Sequence, residues 1–115
     1  MTAPTALRKI APAAAKALLD SDTAALVDIR EANEHAQEHI AGAALVPLSA
    51  LDAARLGARR GKAVIFHCLG GTRTAANAAR LAEACHACGG IPEVYVLDGG
   101  LNAWRAAGLA TVAGR

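Results

Sequence analysis

The segment "VIFHCLGGTRTAANAARLAEA", Val64 to Ala84, carries a strand, a turn and a helix in immediate succession. Ala63 to His67 is a short run of β-branched, aliphatic and aromatic residues, the composition of a buried strand. It stops at Cys68, and Gly70-Gly71 break any regular structure. From Thr74 to about Cys88 the chain is rich in alanine. Ala78, Leu81, Cys85 and Cys88 recur at the spacing of one helical face, and Gly89-Gly90 end the helix. A strand that feeds a helix through a tight glycine loop is the unit from which α/β domains are built.

Outward from this segment the same alternation continues. "LRKI" reads as a short edge strand, and Pro12 opens a helix that runs to Asp20 and stops at Ser21-Asp22. Ala25 to Ile29 is a second buried strand. The polar stretch Arg30 to Gly42 holds one or two helical turns. Ala44 to Val46 is a short strand stopped by Pro47, and Ser49 to Leu56 a short helix with Gly57 beyond it. Glu93 to Leu97 is a strand, and Gly100 to Gly108 a last short helix. With no internal repeat or low-complexity linker, the reading is a single domain over residues 1–115. Its fold class is α/β, a mainly parallel sheet of about five strands with helices on both faces. In such sheets ligands gather beyond the carboxyl ends of the strands. Asp28-Ile29-Arg30, His67-Cys68 and Asp98-Gly99-Gly100 should therefore open on one edge.

Composition narrows the function. The chain has 115 residues, 54% of them apolar, yet only 3% are Phe, Trp or Tyr. Small side chains imply close packing of helices on the sheet, and disorder is excluded. A net charge of +2 argues against nucleic acid or an anionic membrane as partner. No apolar stretch approaches the ~18 residues of a membrane helix. The N-terminus lacks the basic and apolar regions of a signal peptide. Three cysteines, an odd number, argue against a disulfide framework and for a reducing, cytoplasmic setting in which a thiol is available for chemistry.

Cys68 is the thiol best placed for it. It sits at a strand exit, just before the start of a helix with unsatisfied N–H groups and positive potential. Gly70 and Gly71 let the loop curl so that successive N–H groups face inward as an anion nest, and Arg73 adds a multidentate cation. These features favour the Cys68 thiolate and would cradle an anion delivered to it.

"HCLGGTRT" resembles the active-site loop of the rhodanese-type sulfurtransferases, Cys-x-x-Gly-x-Arg followed by Ser or Thr. Cys68, Gly71, Arg73 and Thr74 match it. "LVDIREANEHAQEHIAGAALVPLSAL" is similar to that family's first signature and "VYVLDGGLNAWRAAGL" to its closing one, so the likeness runs from about Leu7 to Ala110. The cytoplasmic domain of bacterial membrane-associated rhodaneses is the subgroup that the chain most resembles. Those proteins continue into two membrane helices, so this chain is either a natural soluble form or a truncated one.

The resemblance implies that Cys68 attacks the outer sulfur of thiosulfate or a persulfide and becomes a persulfide itself. Cyanide or a cellular thiol then takes the sulfur. Leu69, Gly70, Gly71 and Thr72 would stabilise the anion with their N–H groups, and Arg73 would bind the donor's anionic end. Asp28, Arg30 and Thr74 would support the site. No cofactor or metal is implied. Cysteine phosphatases, and the relatives that act on phosphate or arsenate, have five residues between cysteine and arginine; here there are four. The shorter ring suits one sulfur atom better than a tetrahedral oxyanion. The alternative reading is a redox or nitrosothiol-sensing module built on the same thiolate.

Four further features have structural readings. Cys85-His86-Ala87-Cys88 lies near a helix C-terminus, which disfavours a thiolate, and reads as core packing. His35-Ala36-Gln37-Glu38-His39 formally matches a metalloprotease pattern, but the segment is short, and the resemblance assigns His39-Ile40 to a structural turn. Asp28 and Arg30 read as a salt bridge that fixes the loop after the strand, joined by Glu34. Asp98 would cap the last helix, Trp104 would lie in the core, and His67 would point to the sheet face opposite Cys68.

Overall fold

The structure is a computed structural model and describes residues 7–114. Five strands form one sheet: β1 (Arg8–Ile10), β2 (Ala24–Asp28), β3 (Ala44–Leu45), β4 (Ala63–His67) and β5 (Val94–Leu97). Their order is β1-β5-β4-β2-β3, and every pairing is parallel. Five α-helices accompany them: α1 (Pro12–Asp20), α2 (Ala32–Gln37), α3 (Thr72–Ala76), α4 (Ala78–Cys88) and α5 (Gly100–Ala106).

β4 is central and buried at all five positions, as a strand covered on both faces must be. Its side chains alternate between two cores. Val64 and Phe66 pack with Leu56, Leu81 and Cys85 on one face, the face of α4. Ile65 packs with Ala15, Leu101 and Trp104 on the other, the face of α1 and α5. Each large side chain buried in this way contributes about 1.5–3 kcal/mol. The register pairs Asp28 with His67, and the Ile29 amide continues the ladder to the His67 carbonyl at 3.0 Å. The carboxyl ends of β2, β4 and β5 therefore open on one edge, as the strand pattern requires.

Two helices differ from the sequence reading. In place of one helix over Ser49–Leu56 there are two 3-10 turns, Leu48–Ala50 and Ala53–Arg59, and Gly57 lies inside the second. Asp52 separates them: its carboxylate accepts the Arg55 amide at 2.9 Å and starts the second turn. The helix expected from Thr74 to Cys88 begins two residues earlier, at Thr72, and breaks at Asn77. There the Asn77 side-chain amide and its backbone N–H both donate to the Arg73 carbonyl, at 2.8 and 3.1 Å. Side-chain capture of a backbone carbonyl competes with the regular helix. The break makes α3 a separate short turn directly after the cysteine loop.

Candidate active site

Cys68 follows β4 and is only 1% exposed. Its Sγ accepts the Gly71 N–H at 3.2 Å and lies 3.8 Å from the Thr74 hydroxyl. That hydroxyl donates to the Gly71 carbonyl at 3.0 Å, so Thr74 fastens the loop to the first turn of α3. Gly71 has φ +99°, a left-handed conformation that a residue with a β-carbon adopts only under strain. This backbone turn is what brings the Gly71 amide back to the sulfur.

The other side of the loop is held by α5. The Leu101 and Asn102 amides donate to the Cys68 and Leu69 carbonyls, both at 2.9 Å. Gly100 permits this approach: a β-carbon there would lie 2.6 Å from the Cys68 oxygen and 2.7 Å from the Leu69 oxygen. Two amides of the first turn of α5 thus bind the two carbonyls and hold this side of the loop in place. Asp98 does not cap α5; it is exposed, and the cap position is Gly99 without a side-chain bond. The glycine pair serves backbone approach instead, which the sequence marked only as two glycines before a helix.

Cys68, Leu69, Gly70, Thr72, Arg73 and Asn102 line a pocket of about 260 Å³. Asn102 was not singled out from sequence. Its Oδ1 accepts Arg105 at 2.6 Å, and Arg105 in turn binds Glu38 at 2.6 Å, which leaves the Asn102 NH2 group as the end near Gly70.

Arg73 is not a free cation. It forms a two-pronged pair with Glu34, Nη1 to Oε1 at 2.8 Å and Nη2 to Oε2 at 3.0 Å. Glu34 sits in the first turn of α2, where it also accepts the Glu31 amide at 3.1 Å in a reciprocal capping box. The hydrogen bond from Arg73 holds the Glu34 carboxyl below the usual range. Glu34 therefore belongs to Arg73 and not to the Asp28–Arg30 pair. Glu31 is not one of the short N-cap residues that mark a capping box in sequence, so the box was visible only in the structure.

Asp28 and Arg30 are buried, 0% and 3% exposed. Asp28 Oδ1 accepts the Arg30 backbone N–H and Nε, both at 3.0 Å, and Oδ2 accepts Arg30 Nη2 at 2.8 Å. His35 Nδ1 lies 2.9 Å from the same Oδ2. Burial pushes the Asp28 carboxyl up, but the Arg30 hydrogen bonds, the neighbouring His67 and the His35 hydrogen bond together outweigh it and bring it to about 2. Arg30 also donates to the Glu38 carbonyl at 2.6 Å, tying down the end of α2. This pair does not touch the cysteine loop directly. It lies on the opposite face of the sheet, beside His67.

His67 links the two faces. Its Nδ1 is 3.0 Å from the Cys68 carbonyl oxygen, so this nitrogen carries the donated proton. Its Nε2 is buried without a partner among the described residues, 3.9 Å from Asp28 Oδ2. Burial lowers the His67 pKa and keeps the ring neutral; Arg30, not His67, neutralises Asp28.

The remaining candidates serve the scaffold. The His35 and His39 rings stack at 3.9 Å, and His39 Nδ1 bonds the His35 carbonyl at 2.8 Å. Cys85 and Cys88 are buried in the α4 core, where burial pushes the Cys85 thiol up to about 12. Trp104 is buried, and its Nε1 donates to the Ala110 carbonyl at 2.9 Å. Among the described residues no group of three or more His, Cys, Asp or Glu is arranged to hold a metal, and no helix is long and apolar enough to cross a membrane.

The Rhodanese-like domain family matches residues 11–107. An uncharacterized protein of Synechocystis sp., slr1261, is 37% identical over 103 residues, which is 90% of this chain and 55% of that protein. The uncharacterized Bacillus subtilis protein YqhL is 36% identical over 81 residues, 70% of this chain and 60% of its own. The chain thus spans little more than half the length of these curated relatives. A crystal structure of thiosulfate sulfurtransferase from Pseudomonas aeruginosa superposes with a TM-score of 0.72 at 29% identity, covering 95% of this chain and 21% of that one.

Proposed function

The chain belongs to the rhodanese-like domain family, and from that premise we propose that it is a sulfurtransferase with Cys68 as the sulfur carrier. The Cys68 thiolate attacks the outer sulfur of a sulfane donor. With thiosulfate, a new S–S bond forms to Cys68 while the donor's S–S bond breaks, and sulfite leaves with the electron pair. The product is an anionic Cys68 persulfide. Cyanide or a thiolate then attacks the outer sulfur, and the Cys68 thiolate is released again. No oxidant or cofactor enters either half, since one S–S bond is exchanged for another and then for the bond to the acceptor.

The observation that carries this reading is the Gly71 N–H donated to Cys68 Sγ at 3.2 Å, in a loop with four residues between Cys68 and Arg73. A preorganised amide favours the anionic sulfur without reorganisation during reaction. The ring is one residue shorter than the phosphate-binding loops, which supports a sulfur atom as its occupant. The test is thiocyanate formation from a sulfane donor and cyanide, by the protein and by Cys68→Ser. The expected result is turnover that vanishes in the variant. Cys68-dependent hydrolysis of an aryl phosphate without thiocyanate formation would replace this reading with a phosphatase.

A further inference from the structure

Glu34 holds Arg73 as a carboxylate ligand would be held by an arginine in a binding site: two-pronged, at 2.8 and 3.0 Å. It is fixed there independently, because the same carboxylate accepts the Glu31 amide of the capping box. The Glu31 carboxylate is fixed too, by the Ser49 hydroxyl at 3.0 Å. The Glu34–Arg73 pair stands at the wall of the Cys68 pocket, and Arg73 lines that pocket. Among the described residues no other Lys or Arg lines it. The cation offered to a donor is therefore already neutralised by a carboxylate that cannot readily move away.

We infer that Glu34 is a specificity-determining residue that biases the Cys68 pocket against dianionic sulfur donors and toward donors of lower charge, such as monoanionic thiosulfonates and organic persulfides. The inference rests on the sulfurtransferase reading and names the donor class for the same site. A donor entering the pocket feels the Glu34 charge in proportion to its own. If removing that charge changes the efficiency for a monoanion by some factor, a dianion should change by about the square of it.

The probes are thiosulfate, a dianion, and methanethiosulfonate, a monoanion that delivers the same outer sulfur from a sulfonyl group and releases methanesulfinate. Glu34→Gln keeps the capping box, which glutamine also forms, and removes the charge. The expected result is a rise in kcat/KM of about tenfold for thiosulfate and about threefold for methanethiosulfonate, with the gap narrowing at high salt. Equal changes for both donors, or a loss for both, would make Glu34 a clamp for Arg73 and overturn the inference. A second arm needs no turnover: thiosulfate binding to Cys68→Ser against Cys68→Ser/Glu34→Gln should tighten about tenfold, and unchanged affinity overturns the inference. If the wild-type protein takes sulfur from neither donor, the sulfurtransferase reading fails, while the binding arm still decides the role of Glu34.

Discussion

The Cys68 carbonyl oxygen lies 2.6 Å from where a β-carbon on Gly100 would stand, and the next amide, Leu101, donates to that same oxygen at 2.9 Å. Helix α5 therefore fixes the nucleophile's own peptide unit from behind. Gly100 also has φ +61°, so Gly100→Ala meets both a collision and a strained backbone. It should destabilise the fold by about 1–3 kcal/mol and abolish sulfur loading of Cys68. Gly108→Ala is the control: φ is +78° but nothing lies within 4 Å of the added carbon. It should cost about 1 kcal/mol and leave loading intact. Denaturant unfolding and a loading assay on both variants decide the point; equal loading would contradict the role given to α5.

The Asp28–Arg30 pair is buried and shares its carboxylate with His35. Asp28→Asn leaves the Arg30 guanidinium buried without its counter-charge, and removal of one partner of such a pair costs about 3–5 kcal/mol. Urea unfolding should show a loss of that order, or a chain that no longer folds. A loss below about 1 kcal/mol would mean that the pair behaves like an exposed ion pair.

Among the groups whose folded pKa lies below the unfolded value, Asp28 and His67 are buried and couple most directly to acid stability. His67 is lowered from 6.5 by burial, and Asp28 from 3.8 to about 2, where Arg30, His67 and His35 together prevail over burial. In both cases the unfolded chain binds more protons, so stability falls as pH falls. The His67 contribution is complete above pH 6.5 and erodes below it; that of Asp28 erodes between about 3.8 and 2. Each group adds a slope of at most about 1.4 kcal/mol per pH unit. His67→Gln, which keeps a donor for the Cys68 carbonyl, should flatten the slope just below pH 6.5 in urea unfolding measured across pH. An unchanged slope would place the proton uptake elsewhere.

Cys85 and Cys88 sit in the core of α4, with the Cys85 thiol pushed up to about 12 by burial. Native protein treated with iodoacetamide at mildly alkaline pH should leave Cys85 unmodified, whereas unfolded protein should react there. An adduct on Cys85 in the native state would show that the α4 core opens and that this thiol is available for redox chemistry.

Much of this was legible in the sequence where a signal is local. The β4 strand, Ala63–His67, and helix α1, Pro12–Asp20, fall where the residue pattern put them, because a β-branched and aromatic run and an N-terminal proline act within a few residues. The elements around Cys68 were also readable, since glycines and a helix start mark a loop on their own. What escaped were side-chain choices made across the fold. Asn77 breaks a helix by reaching its own turn's carbonyl, while Glu34 selects Arg73, 39 residues away, over its nearer neighbour Arg30. Nothing in composition reveals such pairings. Gly100 was visible as a glycine, but its reason, the Cys68 carbonyl, is a tertiary contact.

Sulfur carriage by Cys68 is read directly by intact-protein mass spectrometry. The protein is incubated with methanethiosulfonate and, separately, with thiosulfate. The expected result is a gain of one sulfur atom on the wild-type chain, reversed by cyanide and absent in Cys68→Ser. A wild-type mass unchanged by both donors, or a gain that persists in Cys68→Ser, would contradict it.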